Sequence, residues 1–563
     1  METSNVNSKT KTVNVALYLR KMARLQPYKR AVIYPLGRDR LKRVAYTHLT
    51  FRQLDIESDL LARGLDDIGI SRGVRTILMV KPSLDFFALV FALFKVGAVP
   101  VVVDPGMGIS RMLNCLKESR AEALIGIPPA HVLRKVAPKY FDRVHAFVTV
   151  GRRWFWGGHT LSQIRKGNWE PYEMAGTGAD EIAAILFTTG STGPAKGVFY
   201  THGVFDAQVK QIRRHFNITP EDIDLPTFPL FALFDPALGM TAVIPDMDPT
   251  KPARVNPEKI IEAISNHGVT NMFASPALLN RVGRFGRENG ITLPTVKRVI
   301  TAGAPITPSV VEQFSSMLSG NAQLHTGYGA TEAMPVSSFS SKEILSKTRK
   351  LSEQGYGMCV GRPVSGIDLR VVRITDDPIP KWSDDIVLPA GEIGELAVRG
   401  AQVTHGYFER PDDDLLAKIS DGDTFWHRMG DLGWQDNKGR IWFCGRKSHR
   451  VISENNVYYT IPCEAIFNNH PRVFRSALVG IGKPMRQTPV ICIELESGDR
   501  GWKKRTLKKE LLDLAKSSPI TTDIDRILFH RSFPVDIRHN SKIFREKLAL
   551  WAKKKLKNKN VFS

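Results

Sequence analysis

Leu186-Phe187-Thr188-Thr189-Gly190-Ser191-Thr192-Gly193-Pro194-Ala195-Lys196-Gly197 follows the short apolar run Ile182-Ala183-Ala184-Ile185, so the pattern predicts a buried strand opening into a loop. From Thr188 to Lys196 this loop crowds hydroxyls, two glycines and a lysine together. Such a composition suits a polyphosphate: glycines let backbone N–H groups approach, hydroxyls donate, and Lys196 supplies charge. The spacing is not that of a Walker A loop, because no Gly directly precedes Lys196 and no Ser or Thr follows it. Nor is it a Gly-x-Gly-x-x-Gly dinucleotide fingerprint. Taken alone, the stretch reads as readily as a flexible Gly/Ser-rich surface turn. The rest of the chain has to decide.

At 563 residues, 42% of them hydrophobic, the chain is long enough for several subdomains with more than one core. Five scattered cysteines without a Cys-x-x-Cys pair argue against a disulfide framework or a zinc ribbon. They point to a reducing, cytoplasmic setting. The first twenty residues carry no apolar core of a signal peptide. The longest apolar stretch, Phe86 to Val103, is broken by Lys95, Gly97 and Pro100. It predicts a buried helix over Leu84–Lys95, a turn and a strand over Val99–Val103, not a membrane span. The net charge of +23 fits nucleic acid, an anionic membrane surface or acidic protein partners, and charge alone does not choose. Phe544, Leu548 and Trp551 fall on one helical face before the basic run Lys553–Lys559. That face is expected in the core, with membrane contact as the alternative.

Strand-like runs at Val74–Val80, Val269–Phe273 and Val296–Ile300 alternate with helical patterns, which predicts layered α/β structure. Gly151 to Gly158 is aromatic and basic but lacks the interleaving of a nucleic-acid platform, so a packed loop is expected and nucleic acid is not. Gly303-Ala304-Pro305 follows one strand; another ends in Tyr328-Gly329-Ala330-Thr331-Glu332. Within five residues the latter offers an aromatic face for a base, a hydroxyl for a phosphate and a carboxylate for a metal. Further on, shorter strands are expected over Gly394–Val398 and Arg440–Cys444, and Asp431 sits in a Gly-flanked segment expected to turn. An aspartate there can accept both hydroxyls of a ribose diol. The Lys-rich remainder from about His449 predicts a small separate α/β domain.

Together these motifs resemble the adenylate-forming superfamily of acyl-CoA synthetases, peptide-synthetase adenylation domains and luciferases, over roughly Ala45 to Leu548. The resemblance implies a large N-terminal domain of layered α/β subdomains, residues 1–447, and a small mobile C-terminal α/β domain, residues 448–563. It implies an AMP-forming ligase that uses ATP and Mg²⁺. Thr188, Thr189, Gly190, Ser191, Thr192, Gly193 and Lys196 resemble its phosphate loop. Gly303, Ala304 and Pro305 resemble its adenine-side turn, and Tyr328, Gly329, Thr331 and Glu332 the segment that stacks adenine and holds Mg²⁺. Asp431 stands at the ribose position, Arg446 leads into the hinge and Ser448 occupies it. Lys542, in Asp536-Ile537-Arg538-His539-Asn540-Ser541-Lys542-Ile543, resembles the catalytic lysine of adenylation, with Thr331 and Glu332 beside it in the catalytic set.

Departures from the usual acyl-CoA ligase pattern bear on the second half-reaction. In Phe231-Ala232-Leu233-Phe234 an alanine stands where many ligases have His, which predicts a substrate pocket of Phe231, Ala232 and Phe234 with room for an α-branch. Ile452 and Asn455 stand where coenzyme A ligases commonly show Lys and Gly. The local sequence looks most similar to the lactone-forming branch that serves bacterial long-chain olefin biosynthesis. That resemblance implies a small-molecule 2-alkyl-3-hydroxy fatty acid as substrate and its own hydroxyl as nucleophile. A long-chain acyl-CoA ligase is the near alternative, and a non-catalytic basic scaffold the distant one. Peripheral contact with a membrane, or with proteins of the same pathway, is a further expectation for the basic surface.

Overall fold

The computed structural model describes residues 12–165, 167, 169–188, 195–496, 504–536 and 542–560. Two large sheets carry most of it. A seven-stranded sheet is built around Arg75–Met79, Val99–Val103 and Ile182–Thr188, all parallel, and is closed at one edge by Lys196–Thr201, which returns antiparallel to Ile182–Thr188. The fourteen-stranded sheet is parallel through Thr241–Val243, Ile223–Pro226, Asn271–Ala274, Arg298–Thr301 and Gln323–Ala330. It then reverses at Ala333–Ser340 and continues antiparallel through Met358–Pro363, Ile441–Arg446 and Thr424–Gln435. A three-stranded sheet, Val473–Lys483, Arg486–Leu495 and Ile527–Phe529, has hydrophobic clusters of its own drawn from residues beyond Val451.

The helix and strand expected in the longest apolar stretch form as Leu84–Val96 and Val99–Val103. Ser83 caps the helix start by accepting from the N–H of Phe86, and Gly97 ends it in the left-handed region at φ 74°, where a Cβ is disfavoured. This helix is buried on every face, which puts Lys95 at 0% exposure. Its ammonium is matched by Asp55 at 2.6 Å and Asp59 at 2.7 Å, both on the adjoining helix Phe51–Asp67, and Arg20 also reaches the two carboxylates. A buried charge is tolerable only when paired and hydrogen-bonded, and here three helices are tied by one such group.

At the C-terminus the helix Arg545–Asn560 buries Leu548 and Ala552 against the three-stranded sheet, with Trp551 partly covered by the same cluster. The apolar face therefore packs into a core. Among the described residues no helix is long and apolar enough to cross a membrane. The loop at Gly151–Gly158 corrects expectation in part: Trp156 is buried, but Trp154 is 56% and Phe155 75% exposed. All five cysteines are free and buried.

Replacing Lys95 with Met should destabilise the fold by about 3–5 kcal/mol, because two carboxylates stay buried without their main counter-ion. Denaturant unfolding measures this, and a loss below about 1 kcal/mol would mean that Arg20 alone suffices.

Candidate active site

The reversal of the large sheet places the key side chains. Gln323–Ala330 and Ala333–Ser340 are joined by the two-residue turn Thr331-Glu332, with Ala330 paired to Ala333. A Cβ on Gly329 would lie 2.7 Å from the carbonyl oxygen of Ala333, so this tight hairpin requires glycine there. On the parallel side, Thr301 pairs with Thr326, which brings Gly303-Ala304-Pro305 alongside Gly327 and Tyr328. On the antiparallel side Asp431 is in register with Arg446. Asp431 is thus inside the strand Thr424–Gln435 and not in a turn: Gly430, at φ 63°, sits where the register shifts without ending the strand, and Gly433 pairs with Phe443.

Three strands converge on Asp431. Tyr328 donates its hydroxyl to Oδ2 at 2.8 Å, and the guanidinium of Arg446 lies 3.1 Å from Oδ1 while donating to the carbonyl of Met429. Oδ1 is buried, yet Arg446 approaches it off the hydrogen-bonding direction, and it accepts no hydrogen bond. Burial raises the carboxyl of Asp431 despite the attraction of Arg446, and burial with the nearby Asp431 raises the phenol of Tyr328. An acceptor left open at the floor of a cleft suits a hydroxyl donor from a ligand.

Glu332 faces the same cleft. Its Oε1 accepts from the hydroxyl of Tyr407 at 3.0 Å, and its carbonyl accepts from Thr404 N–H and Oγ1–H at 2.8 and 3.1 Å. Tyr200 donates its hydroxyl to the carbonyl of Thr331. Lys196 pairs with Asp413 at 2.6 Å and lies over the ring of Tyr407. Among the described residues no cluster of three or more His, Cys, Asp or Glu could hold a metal by itself. A single carboxylate lining the cavity fits Mg²⁺, which is commonly held by one or two carboxylates together with substrate phosphates and water.

Lys196, Gly303, Ala304, Pro305, Tyr328, Gly329, Thr331, Glu332, Asp431, Arg446, Ser448 and Lys542 all line one cavity of ≈ 2660 Å³. That exceeds a drug-sized pocket of about 300–1,000 Å³, so it has room for a nucleotide and a long second ligand. Thr188 ends its strand in register with Lys196, while Thr189, Gly190, Ser191, Thr192 and Gly193 lie outside the described residues. Ser448 is exposed in the short turn Lys447–His449 between the large sheet and the C-terminal residues. Beyond Glu332 the cavity becomes aromatic: Phe205 lies 4.8 Å from Tyr200 and 6.2 Å from Phe234, and Phe231 stacks on Phe273 at 3.8 Å.

Ala232 is a correction. It is fully buried in the core with Leu19 and Met22 and does not line the cavity, whereas Phe231 and Phe234 do. Successive helical residues diverge by about 100°, so presenting Phe231 to the cavity turns Ala232 inward. Leu233 and Phe205, which the sequence did not single out, line the chamber. Three histidines, His202, His325 and His427, are placed to be tested as a base; burial lowers His202 and His325 to about 4, and both stay outside the cavity. His427 lines it, with Nδ1 lacking a partner; burial and then Lys418, Lys196 and Arg446 keep it neutral.

Two buried acids meet behind the chamber wall. Asp235, in the short helix Phe234–Leu238, donates to Asp224 of the strand Ile223–Pro226; both are buried, and Asn271 also donates to Asp224. Burial, then the neighbouring Asp224, holds Asp235 well above the usual carboxylate range; burial raises Asp224 to about 7.

Residues 19–408 match the AMP-binding enzyme family. The olefin beta-lactone synthetase of Xanthomonas campestris pv. campestris is 46% identical over 96% of this chain and 98% of its own length. The fold is shared with the amide bond synthetase McbA of Marinactinospora thermotolerans, at TM-score 0.78 and 22% identity over 95% of this chain and 99% of that one. It is shared also with the O-succinylbenzoate coenzyme A synthetase of Bacillus subtilis, solved with ATP and magnesium ion, at TM-score 0.73 and 22% identity over 94% and 98%.

The acid pair generates a pH prediction. Both folded-state pKa values are raised, so the stability from the shared proton is complete below the unfolded value of about 4 and is lost as pH climbs through about 7. Asp235→Asn keeps the donor without the titration. The variant should therefore gain thermal stability over the parent as pH rises from 5 to about 8, and parallel curves would show that the pair does not share a proton.

Proposed function

This chain belongs to the AMP-binding enzyme family, and from that premise we propose that it activates a 2-alkyl-3-hydroxy fatty acid as its acyl-adenylate and closes it to a β-lactone. The observation that carries the reading is the near full-length similarity to an enzyme named for that product. The geometry supports it: the polar cleft around Asp431 and Glu332 opens directly into the aromatic chamber of Phe205, Phe231 and Phe234.

In this scheme ATP lies with adenine between Gly303–Pro305 and Tyr328, and its ribose hydroxyls meet the open Oδ1 of Asp431. Arg446 lies 3.1 Å from the same oxygen and offsets its charge, while Tyr328 holds Oδ2. The phosphate loop ending in Lys196 takes the β- and γ-phosphates, and Thr331 stands at the α-phosphate. Glu332 would hold Mg²⁺, which when bound offsets the charge of the phosphates. A carboxylate oxygen of the substrate then attacks the α-phosphorus as the bond to pyrophosphate breaks. Two anions meet in that step, and Lys542 stabilises the charge that builds between them.

For the second step the C-terminal domain, residues 448–563, turns about Ser448 and withdraws Lys542. The β-hydroxyl oxygen attacks the acyl carbon, its proton departs, and the bond to AMP breaks. Well-oriented intramolecular reactions reach effective molarities of about 10⁵ M or more, so a positioned hydroxyl outruns water in a dry chamber. The setting is the cytoplasm, where five buried thiols stay reduced.

Lys542→Ala should lower pyrophosphate release by about 10²- to 10³-fold while ATP binding persists through the large domain. Release within a few-fold of the parent would remove Lys542 from the chemistry. With ATP, Mg²⁺ and a synthetic 2-alkyl-3-hydroxy acid, the products should be β-lactone, AMP and pyrophosphate at a rate indifferent to coenzyme A. Acyl-CoA as the main product by mass spectrometry would restore the ligase alternative.

A further inference from the structure

On the seven-stranded-sheet side of the molecule, an exposed aromatic loop is clamped to the helix Pro128–Val136. Trp156 is buried at the root of that loop, stacked on His131 with ring centroids 5.4 Å apart. Its carbonyl accepts from Arg134 at 2.8 Å, and Arg134 lies 3.8 Å above the ring of Phe147. The two residues before it, Trp154 and Phe155, pack against Trp156 at 5.4 Å each yet remain 56% and 75% exposed. The same helix exposes Val136 at 77%, and the preceding helix, Ile109–Glu118, exposes Ile109 at 67%. Apolar and aromatic groups held outward on a fixed base are costly in water and mark a contact surface.

Charge identifies what that surface meets. Between Pro128 and Arg153 six basic residues, Arg134, Lys135, Lys139, Arg143, Arg152 and Arg153, stand against one acid, Asp142. On adjoining elements Glu118 is paired with Arg410 and Glu122 with Arg75. The inner faces of these two helices line the active-site cavity through Met112, Ala130 and Leu133, and Ile109 is both cavity lining and exposed. Through Ile109 the exposed surface of these helices connects to the cavity.

We infer that the face formed by Trp154, Phe155, Val136 and Ile109 with Lys135 and Arg152 docks on an anionic lipid bilayer and receives the acyl substrate from it. Tryptophan and phenylalanine settle at the headgroup boundary, while each lysine or arginine close to an anionic surface adds about 1 kcal/mol. An acidic protein would satisfy the charges but gives no reason for Trp154, Phe155 and Val136 to stand exposed beside them. Delivery of the acid rests on the proposed function; docking does not.

The test is flotation of the full chain with vesicles of phosphatidylcholine and phosphatidylglycerol in equal parts, and with phosphatidylcholine alone. The parent should bind the mixed vesicles, more weakly as salt rises, and bind the neutral ones poorly. Trp154→Ala with Phe155→Ala, and separately Lys135→Glu with Arg152→Glu, should each lower binding about tenfold or more. Both should leave adenylation of a short, soluble 3-hydroxy acid unchanged, which confirms folding and tests the proposed chemistry separately. No binding to mixed vesicles, or binding that survives the aromatic pair, would overturn the inference and leave this face to an acidic protein.

Discussion

The site depends on a change of strand direction. Parallel strands end at Ala330, the chain turns on Thr331 and Glu332, and from Ala333 onward the large sheet is antiparallel. A parallel sheet brings chain ends together at its carboxyl edge, which is where Gly303–Pro305 and Tyr328 lie. An antiparallel sheet instead pairs residues of distant sequence position directly across a ladder, as Asp431 does with Arg446. Joining the two puts an aromatic ring, an open carboxylate oxygen and a guanidinium around one space.

Electrostatics in the interior follow one rule throughout. Lys95 is buried with two aspartates, and Arg428 with Glu395 at 2.7 Å, where Lys447 joins at 3.1 Å. Asp224 and Asp235 have no such cation in contact and resolve the conflict by keeping a proton. The positive excess consequently belongs to the surface, where it is free to meet a partner. Within the cleft, Oδ1 of Asp431 and Nδ1 of His427 remain open.

Much of the fold was legible in sequence because its elements are locally strong. The run from Leu84 to Val103 announces a buried helix and strand through its breakers, and both form within a residue of expectation. The large motifs were legible too, since glycine, hydroxyl and carboxylate at fixed short spacing carry chemistry irrespective of what surrounds them. Ala232 was misread for the opposite reason. Which way a residue of a four-residue helix points is set by the packing of Phe231 on Phe273, forty-odd positions away.

By itself the sequence determined the layered α/β class, the order of the motifs and the chemical character of each side chain offered to the cleft. Only the tertiary structure decided that Asp431 belongs to a strand, that His427 alone of three histidines reaches the cavity, and that Trp154 and Phe155 face outward while Trp156 does not. Periodicity and turn chemistry are local properties, readable over a few residues. Direction, burial and the partner of each polar atom come from contacts between residues far apart in the chain, and those exist only once the sheets have closed.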